Sequence, residues 1–457
     1  MKIKNIFKFL IIAFLATQLG ACDKNEAEQK FEKTPTERIN AQKKELNDVL
    51  LSSEFGWKAV YYTDNTQLGG FTHLFKFSAD GKVAMASDFD SDTSIYNSDY
   101  SIEIGSTVSL LFSTKNRIHL LSDSNNSPTV GLKGRGYKGD FQFLYYGQEN
   151  GEIIFKTNRS FQELRFIKAT AEDWTDLELN TKMAQNVIGS DKRPLFRLLE
   201  INDGTDIHKL DFNYASKARF ATANSVEQGY GISYNMGIAF TKTGISVSPA
   251  VEVNNQQLTE FIYDDGTGDF TATGTNGVSA TIKYSKKPLI LTDDYKLLLP
   301  GGGNNVYAYM HGFTESEGPN SELFLSLLGD IEKASGVPLI RAQFWFNNID
   351  GTNYIEYRSG DDQTEVRYYH FFTIKADDVN KTVTFIPGVW KSSTAIAGES
   401  GTAPEGPAIS RPSFLKALDD EFMNPNGLYF AEIPTTGYRG YTFTSTTTHF
   451  RMVASSL

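Results

Sequence analysis

The chain has 457 residues, of which 40% are hydrophobic and 22% charged, and its formal net charge is −11. This composition is typical of a globular protein, and the length exceeds what one hydrophobic core usually organises, so we expect two or three domains. The acidic balance argues against nucleic acid as a partner, because phosphate groups favour clustered Lys and Arg.

The first 21 residues have the pattern of a cleaved secretory signal. Three lysines precede a short apolar run at 9–16, which is followed by Leu-Gly-Ala-Cys at 19–22. The run is much shorter than the roughly 20 residues that a membrane-spanning helix needs. Leu-Gly-Ala-Cys resembles a lipobox, so we predict that Cys22 is lipidated and anchors the chain to a membrane. Residues 22–33 are polar and charged and are predicted to form a tether.

The folded part is predicted to begin with a helix. Thr34 and Glu37 have the spacing of a capping box, and apolar residues then recur at helical spacing until Gly56. Beyond Gly56 the period changes to two, which predicts strands, and Asp80-Gly81 predicts a hairpin between two of them.

A similar pattern of strand, turn, strand, turn and strand occurs at 141–166, 261–284 and 428–452. Helices are predicted at 171–188, between Asn320 and Gly336, and at 412–423. We therefore expect a mainly β fold of two or three antiparallel lobes, barrel- or sandwich-like meanders, joined by short helices. The predicted divisions are an N-terminal helix with a first lobe at 34–170, a second lobe with a helical connector at 171–287, and a third lobe with helical inserts at 288–457.

Four segments of the first third resemble a known family. They are Phe31–Ile39, Gly56–Tyr62, Gly69–Phe71 and Gly139–Phe143. This stretch, from Phe31 to Lys168, is similar to an uncharacterised lipoprotein family of Bacteroidota that is classified as a domain of unknown function, of the 4302 type. The resemblance implies an outer-membrane lipoprotein associated with SusC/SusD-like nutrient importers, and it provides no catalytic residues. Acidic residues behind Cys22 resemble the surface-export signal of such lipoproteins, which predicts the cell surface.

Several familiar site motifs are matched only in part. The glycines at 134, 136 and 139 match a dinucleotide-binding fingerprint, but an alternating strand follows them where that motif needs a helix, so we interpret them as a turn. Asp88, Asp90 and Asp92 alternate as calcium ligands can, but Thr93 replaces the glycine of an EF-hand, so we interpret a solvated acidic loop. The six histidines are scattered, and we predict no metal site, cofactor or catalytic residue.

Aromatic side chains give the best candidates for ligand binding. Phe, Tyr and Trp make up 13% of the chain, and most of them are expected in β-sheet cores. Trp345, Trp390 and Tyr368 lie in an aromatic-rich part of the third lobe and are our candidate binding residues for a glycan or a peptide. A strand buried on both faces explains the same residues without a ligand.

These observations predict a lipid-anchored outer-membrane protein without catalytic activity. Its expected role is accessory binding or scaffolding in a nutrient-uptake system, with a SusC/SusD-like importer, a glycan or a peptide as partner. One alternative is a surface hydrolase of glycans or peptides that uses two acidic residues distant in sequence. A second alternative is a structural protein of the cell envelope.

Overall fold

The computed structural model describes residues 33–188, 194–303, 305–314, 319–348, 351–360, 365–393, 404, 406–433, 435 and 438–457. The predicted signal, Cys22 and the tether as far as residue 32 lie outside this range. The described chain is mainly β, with helices before, between and within three closed antiparallel sheets. The expected fold class and the three antiparallel lobes are confirmed.

Helix α1 (Pro35–Leu50) begins with the predicted capping box. The Glu37 N–H donates to the Thr34 hydroxyl at 3.3 Å, and the Glu37 carboxylate accepts from the Thr34 N–H at 2.8 Å. Both bonds satisfy N–H groups that a helix start leaves without a partner. Leu46 and Leu50 lie on the buried side of α1 and pack into the core of the first sheet.

The first barrel is a meander of eight strands that closes on itself. Its strands are β1 (Trp57–Tyr62), β2 (Gly70–Phe77), β3 (Lys82–Ser87), β4 (Tyr96–Ile104), β5 (Val108–Phe112), β6 (Gln142–Glu149), β7 (Glu152–Thr157) and β8 (Glu163–Lys168). Each strand pairs with the next, and β1 pairs with β8, so that Trp57 lies opposite Lys168. The predicted Asp80-Gly81 hairpin joins β2 and β3, with Gly81 at a φ of 79°. Turn residues, including the glycines near 134–139, separate β5 from β6, which confirms the turn interpretation.

The second barrel repeats this arrangement. Its strands are β9 (Phe196–Asp203), β10 (Ile207–Ala215), β11 (Phe220–Ser225), β12 (Ser233–Thr241), β13 (Gly244–Val253), β14 (Gln256–Tyr263), β15 (Phe270–Thr273) and β16 (Val278–Ser285). Strand β16 closes the sheet by pairing with β9 from Val278 opposite Asp203 to Ser285 opposite Phe196. Helices α2 (Ala171–Thr175) and α3 (Leu177–Ile188) precede it at the predicted position.

The third barrel has the same order with one insertion. Its strands are β17 (Asn305–Met310), β18 (Leu339–Phe346), β19 (Asn353–Ser359), β20 (Val366–Asp377), β21 (Thr382–Ser393), β22 (Ala408–Ile409), β23 (Leu428–Ile433), β24 (Gly440–Ser445) and β25 (Arg451–Ser456). Strand β25 closes the sheet on β17, and the short β22 pairs with β21 alone among the described strands. Helix α4 (Glu322–Ser335) follows β17, and α5 (Lys416–Phe422) follows β22, both where helices are predicted.

Side chains fill the interior of each barrel, as expected for a closed sheet of eight strands. Aromatic rings are numerous in the first and third interiors, whereas aliphatic side chains dominate the second. In the first barrel, Phe75 stacks on Phe166 at 4.7 Å and on Phe112 at 5.3 Å. In the third barrel, Phe344 stacks on Phe443 at 4.6 Å. The high aromatic content therefore belongs mainly to the cores.

A buried ion pair joins the first and second barrels. Arg219 donates to the Asp88 carboxylate at 3.0 Å and to the carbonyl of Gly70 at 3.0 Å, and its guanidinium lies 4.2 Å above the ring of Phe71. Asn180 of α3 donates to the other Asp88 oxygen at 3.1 Å. Asp88 is fully buried, so the predicted solvated loop is wrong at this position. The reason is Arg219, a partner 131 residues away in the sequence.

Candidate binding site on the third barrel

The structure places the three predicted binding residues on two faces of the third barrel. Trp390 is buried in its interior, and Tyr368 packs against the same core. Trp345 lies on the outside, because its neighbours Phe344 and Phe346 point into the core and side chains alternate along a strand. Tyr368 and Trp390 are therefore near each other at one end of the interior, and Trp345 is separated from both by the sheet.

The interior end holds a buried polar cluster around Asp419 of α5. His370 Nδ1 lies 2.7 Å from Asp419 Oδ1, the Tyr357 hydroxyl donates to the same oxygen at 2.9 Å, and Arg411 donates to Oδ2 at 3.2 Å. Trp390 stacks on the His370 ring at 4.4 Å. Burial, and then the charge of Asp419, raises the pKa of Tyr357 well above its usual value, so Tyr357 remains a neutral donor.

A buried Asp–His pair is also the orienting half of a catalytic triad. His370 Nε2 has no hydrogen-bond partner among the described residues, and neither has the buried Ser359 hydroxyl. However, Ser359 is four residues along β19 from Ile355, which lies opposite His370. That separation is about 13 Å along a strand, which is beyond hydrogen-bond reach. The hydrogen bonds of this cluster therefore hold α5 against β19 and β20.

The outer face over β18, β19 and β20 carries three rows of side chains, which the strand register aligns. We call this surface the barrel-3 face. The first row is Arg341, Arg358 and Arg367; the second is Gln343, Glu356 and Tyr369; the third is Trp345, Tyr354 and Phe371. Directly opposed side chains on paired strands lie close enough to interact, so the first row is a line of adjacent arginines.

Two carboxylates offset this line of positive charge. Glu356 is almost completely buried and accepts from Arg358 Nε and Nη2, both at 3.1 Å, and from Arg367 Nη1 at 3.3 Å. Glu365 accepts from Arg367 at 2.5 Å. Arg341 has no ion pair with a described residue; it donates to the Gln343 side chain at 3.0 Å. Burial, and then the charge of Arg358, lowers the pKa of Arg341. The surroundings of this side chain therefore disfavour its charged form.

The third row is a continuous line of aromatic rings, in which Trp345 and Phe371 are partly exposed and Tyr354 between them is buried. Trp345 stacks on Tyr354 at 5.8 Å, and Tyr354 contacts Phe371 at 5.4 Å. Lys391 of β21 lies 5.0 Å above the Phe371 ring. The indole N–H of Trp345 donates to Glu356 at 3.3 Å, which connects the aromatic row to the arginine row. The barrel-3 face thus combines flat rings, guanidinium groups and limited exposure, a composition enriched where proteins bind other molecules.

Sequence reasoning found one residue of this face, Trp345, and missed its arginines. Each arginine lies on an alternating strand, but the row exists only through the pairing of strands distant in sequence.

No group of three or more potential metal ligands occurs within the described ranges. Asp90 and Asp92, which remain partly exposed, instead lie beside Arg117.

A family model for a domain of unknown function (DUF4302) matches residues 27–265. The chain belongs to this family. The match spans the first barrel and most of the second, so the barrel-3 face lies outside the part of the chain that defines the DUF4302 domain. The resemblance drawn from the N-terminal segments is confirmed as far as the family itself. No helix among the residues that the structure describes is both long and apolar enough to cross a membrane.

No curated protein matches the DUF4302 chain. Among solved structures it is similar to the DNA polymerase sliding clamp from Bacillus subtilis, with 12% identity over 91% of this chain and 96% of that chain, and a TM-score of 0.15. It is also similar to the DNA polymerase III β subunit from Thermotoga maritima, with 9% identity over 91% and 97% of the two chains, and a TM-score of 0.15. Likenesses this weak bear on neither fold nor function.

Proposed function

We propose that this DUF4302 protein is a non-catalytic accessory binding protein of a nutrient-uptake system. In this proposal a lipid on Cys22 holds it at the outer surface of the outer membrane of a Bacteroidota cell, beside a SusC/SusD-like importer. The observation that carries the binding role is the barrel-3 face, where a row of arginines runs parallel to a row of aromatic rings.

Two features of the fold support binding on an outer face. The barrel interiors are filled by core side chains, so the described interior offers no comparable set of accessible polar groups. Closed sheets also hold a surface residue rigidly, because each strand is paired on both sides. A ligand that contacts the barrel-3 face therefore meets side chains that are already in place, which lowers the entropy lost on binding.

The binding role is tested with the chain from residue 23 to 457, which retains every residue that the structure describes. The chain is titrated calorimetrically against neutral and acidic polysaccharides, peptides and a purified SusC/SusD-like importer. We expect at least one to bind, and Trp345→Ala to weaken that binding. Trp174→Ala, which removes a tryptophan near the first barrel, is the matched control. A ligand that binds both variants as tightly as the wild type would overturn the proposed surface, and turnover of any polysaccharide would overturn the non-catalytic role.

The anchor is tested separately in cells. Cys22→Ala removes the only thiol of the chain, so labelling with a radioactive fatty acid should disappear and the protein should leave the membrane fraction. Persistent acyl labelling of Cys22→Ala would refute the predicted lipid site. Access of an external protease to the wild-type protein in intact cells distinguishes the cell surface from the periplasm.

A further inference from the structure

We propose that the barrel-3 face binds an acidic oligosaccharide, a short sugar chain that places one ring on Trp345 and a carboxylate on Arg341. This inference rests on the proposed binding function and specifies its ligand. It follows from three properties of the face: one arginine without a carboxylate partner among the described residues, an aromatic row at a fixed distance from it, and a closed sheet beneath both.

The first property is an imbalance of charge within an acidic protein. Among the residues that the structure describes, the face presents three arginines and Lys391, and two carboxylates, Glu356 and Glu365, pair with these arginines. Arg358 and Arg367 share both carboxylates, so the described side-chain partners of Arg341 are the neutral Gln343 and Met310. A guanidinium binds a carboxylate through two parallel hydrogen bonds, so an acidic ligand supplies the partner that this position lacks.

The second property is the distance between the charge and the aromatic row. Arg341 and Trp345 lie on the same face of β18, four residues apart, which corresponds to about 13 Å along the strand. A single sugar ring is too short to contact both side chains, whereas a chain of a few rings can. The ligand is therefore an oligosaccharide with an acid group some rings away from the stacked ring.

The third property decides between a sugar chain and an acidic peptide. Extended peptides commonly bind by adding a strand to the free edge of a sheet, where main-chain hydrogen bonds provide the affinity. The described third barrel closes through β17 and β25 and through β20 and β21, so the strands under the face have partners on both sides. A peptide would have to bind through side chains alone. A sugar needs only a ring surface and hydrogen-bonding groups, and the face provides both.

The position of Arg341 also yields a signature that a purely structural role would not give. Its charge lies beside Arg358, no described carboxylate pairs with it, and like charges on directly opposed residues destabilise a sheet. Replacing it by a neutral residue should therefore raise the melting temperature and at the same time weaken ligand binding. Replacing a residue kept for stability would instead lower the melting temperature.

The test uses the chain from residue 23 to 457 with short oligogalacturonates, the same oligosaccharides with methyl-esterified carboxylates, and poly-glutamate peptides. We expect oligogalacturonate to bind, and its methyl ester to bind at least tenfold more weakly. Arg341→Gln should lose about as much affinity for the acid form and melt at a higher temperature. Trp345→Ala should weaken both sugar forms equally. Arg165→Gln, an exposed arginine paired with three glutamates on the first barrel, is the control and should leave binding unchanged.

Three results would overturn this inference in distinguishable ways. If poly-glutamate binds and Arg341→Gln abolishes that binding while sugars do not bind, the ligand class is wrong and the face remains a binding surface. If neither Arg341→Gln nor Trp345→Ala changes the binding of any ligand, the face is not a binding surface and the proposed function fails with it. Equal affinity for acid and esterified sugars excludes a role for the carboxylate.

Discussion

The interior of the first barrel contains a histidine whose protonation should make this protein sensitive to acid. His73 is fully buried on β2, and neither ring nitrogen has a hydrogen-bond partner among the described residues. Burial, and then the positive charges of Arg117 and Arg219, lower the pKa of His73 from 6.5 to about 3. The folded protein therefore keeps a neutral imidazole at a pH where the unfolded chain binds a proton.

The sign of the effect follows from proton linkage. Between pH 6.5 and pH 3 the unfolded chain binds more protons at His73 than the folded chain does, so stability falls as the pH is lowered through this range. At about 1.4 kcal/mol for each pH unit, acidification from pH 7 to pH 4 removes about 3 kcal/mol of stability through this one side chain. Above pH 6.5 the group is neutral in both states and has no pH effect.

His73→Phe should abolish this contribution, because phenylalanine has a similar shape and does not titrate. The free energy of unfolding is measured with urea at pH 7 and pH 4, and hydrogen exchange of the β2 amides identifies the transition that belongs to the first barrel. We expect wild type to lose about 3 kcal/mol more than the variant between the two pH values. His73→Leu is the control. Leucine packs differently from phenylalanine, but the stability lost between pH 7 and pH 4 should be the same as in His73→Phe. If wild type and both variants lose equal stability on acidification, the reasoning is refuted.

Two further predictions concern the second barrel and its joint with the first. Glu227, which lies 2.8 Å from His208 Nδ1, raises the pKa of His208, so its contribution to stability is complete below about pH 6.5 and disappears as the pH rises through the raised pKa. The melting temperature of His208→Gln should therefore fall further below that of wild type at pH 6 than at pH 9, and an equal difference at both would contradict this. Arg219→Met leaves Asp88 buried without its cation and should destabilise the fold by about 3–5 kcal/mol in urea unfolding. Arg165→Met, whose partners are exposed, should cost much less stability, and equal losses for the two variants would count against the buried pair.

Local patterns in the sequence predicted the elements of this fold well. The capping box of α1 depends on two side chains three residues apart, and the Asp80-Gly81 hairpin depends on a turn of two residues. Both are short-range properties that the sequence states directly. The three strands that end each barrel were found for the same reason, because alternation of apolar residues is visible within a single strand.

Contacts between distant residues could not be predicted in this way. Asp88 was expected in solvent because it belongs to a run of alternating acidic residues that does not complete a calcium loop, but Arg219 reaches it from the next barrel and makes burial possible. The closure of each sheet depends on pairing of its first and last strands, and nothing local to β1 identifies β8 as its partner. The face on which each strand residue lies also determined which candidates belong to the site. Trp345 and Trp390 were both predicted as binding residues, but they lie on opposite faces of the sheet.

Two charged side chains of the third barrel, Asp419 and Arg341, differ in how well their surroundings suit the stability of the fold. Within the interior, Asp419 has hydrogen bonds from three side chains, which is the arrangement that stability favours for a buried carboxylate. On the barrel-3 face, Arg341 is half-buried beside another arginine and has no carboxylate partner among the described residues, which stability alone does not favour. The acidic ligand that we propose would supply this partner from outside the barrel, which agrees with the position of Arg341 on the surface rather than in the core.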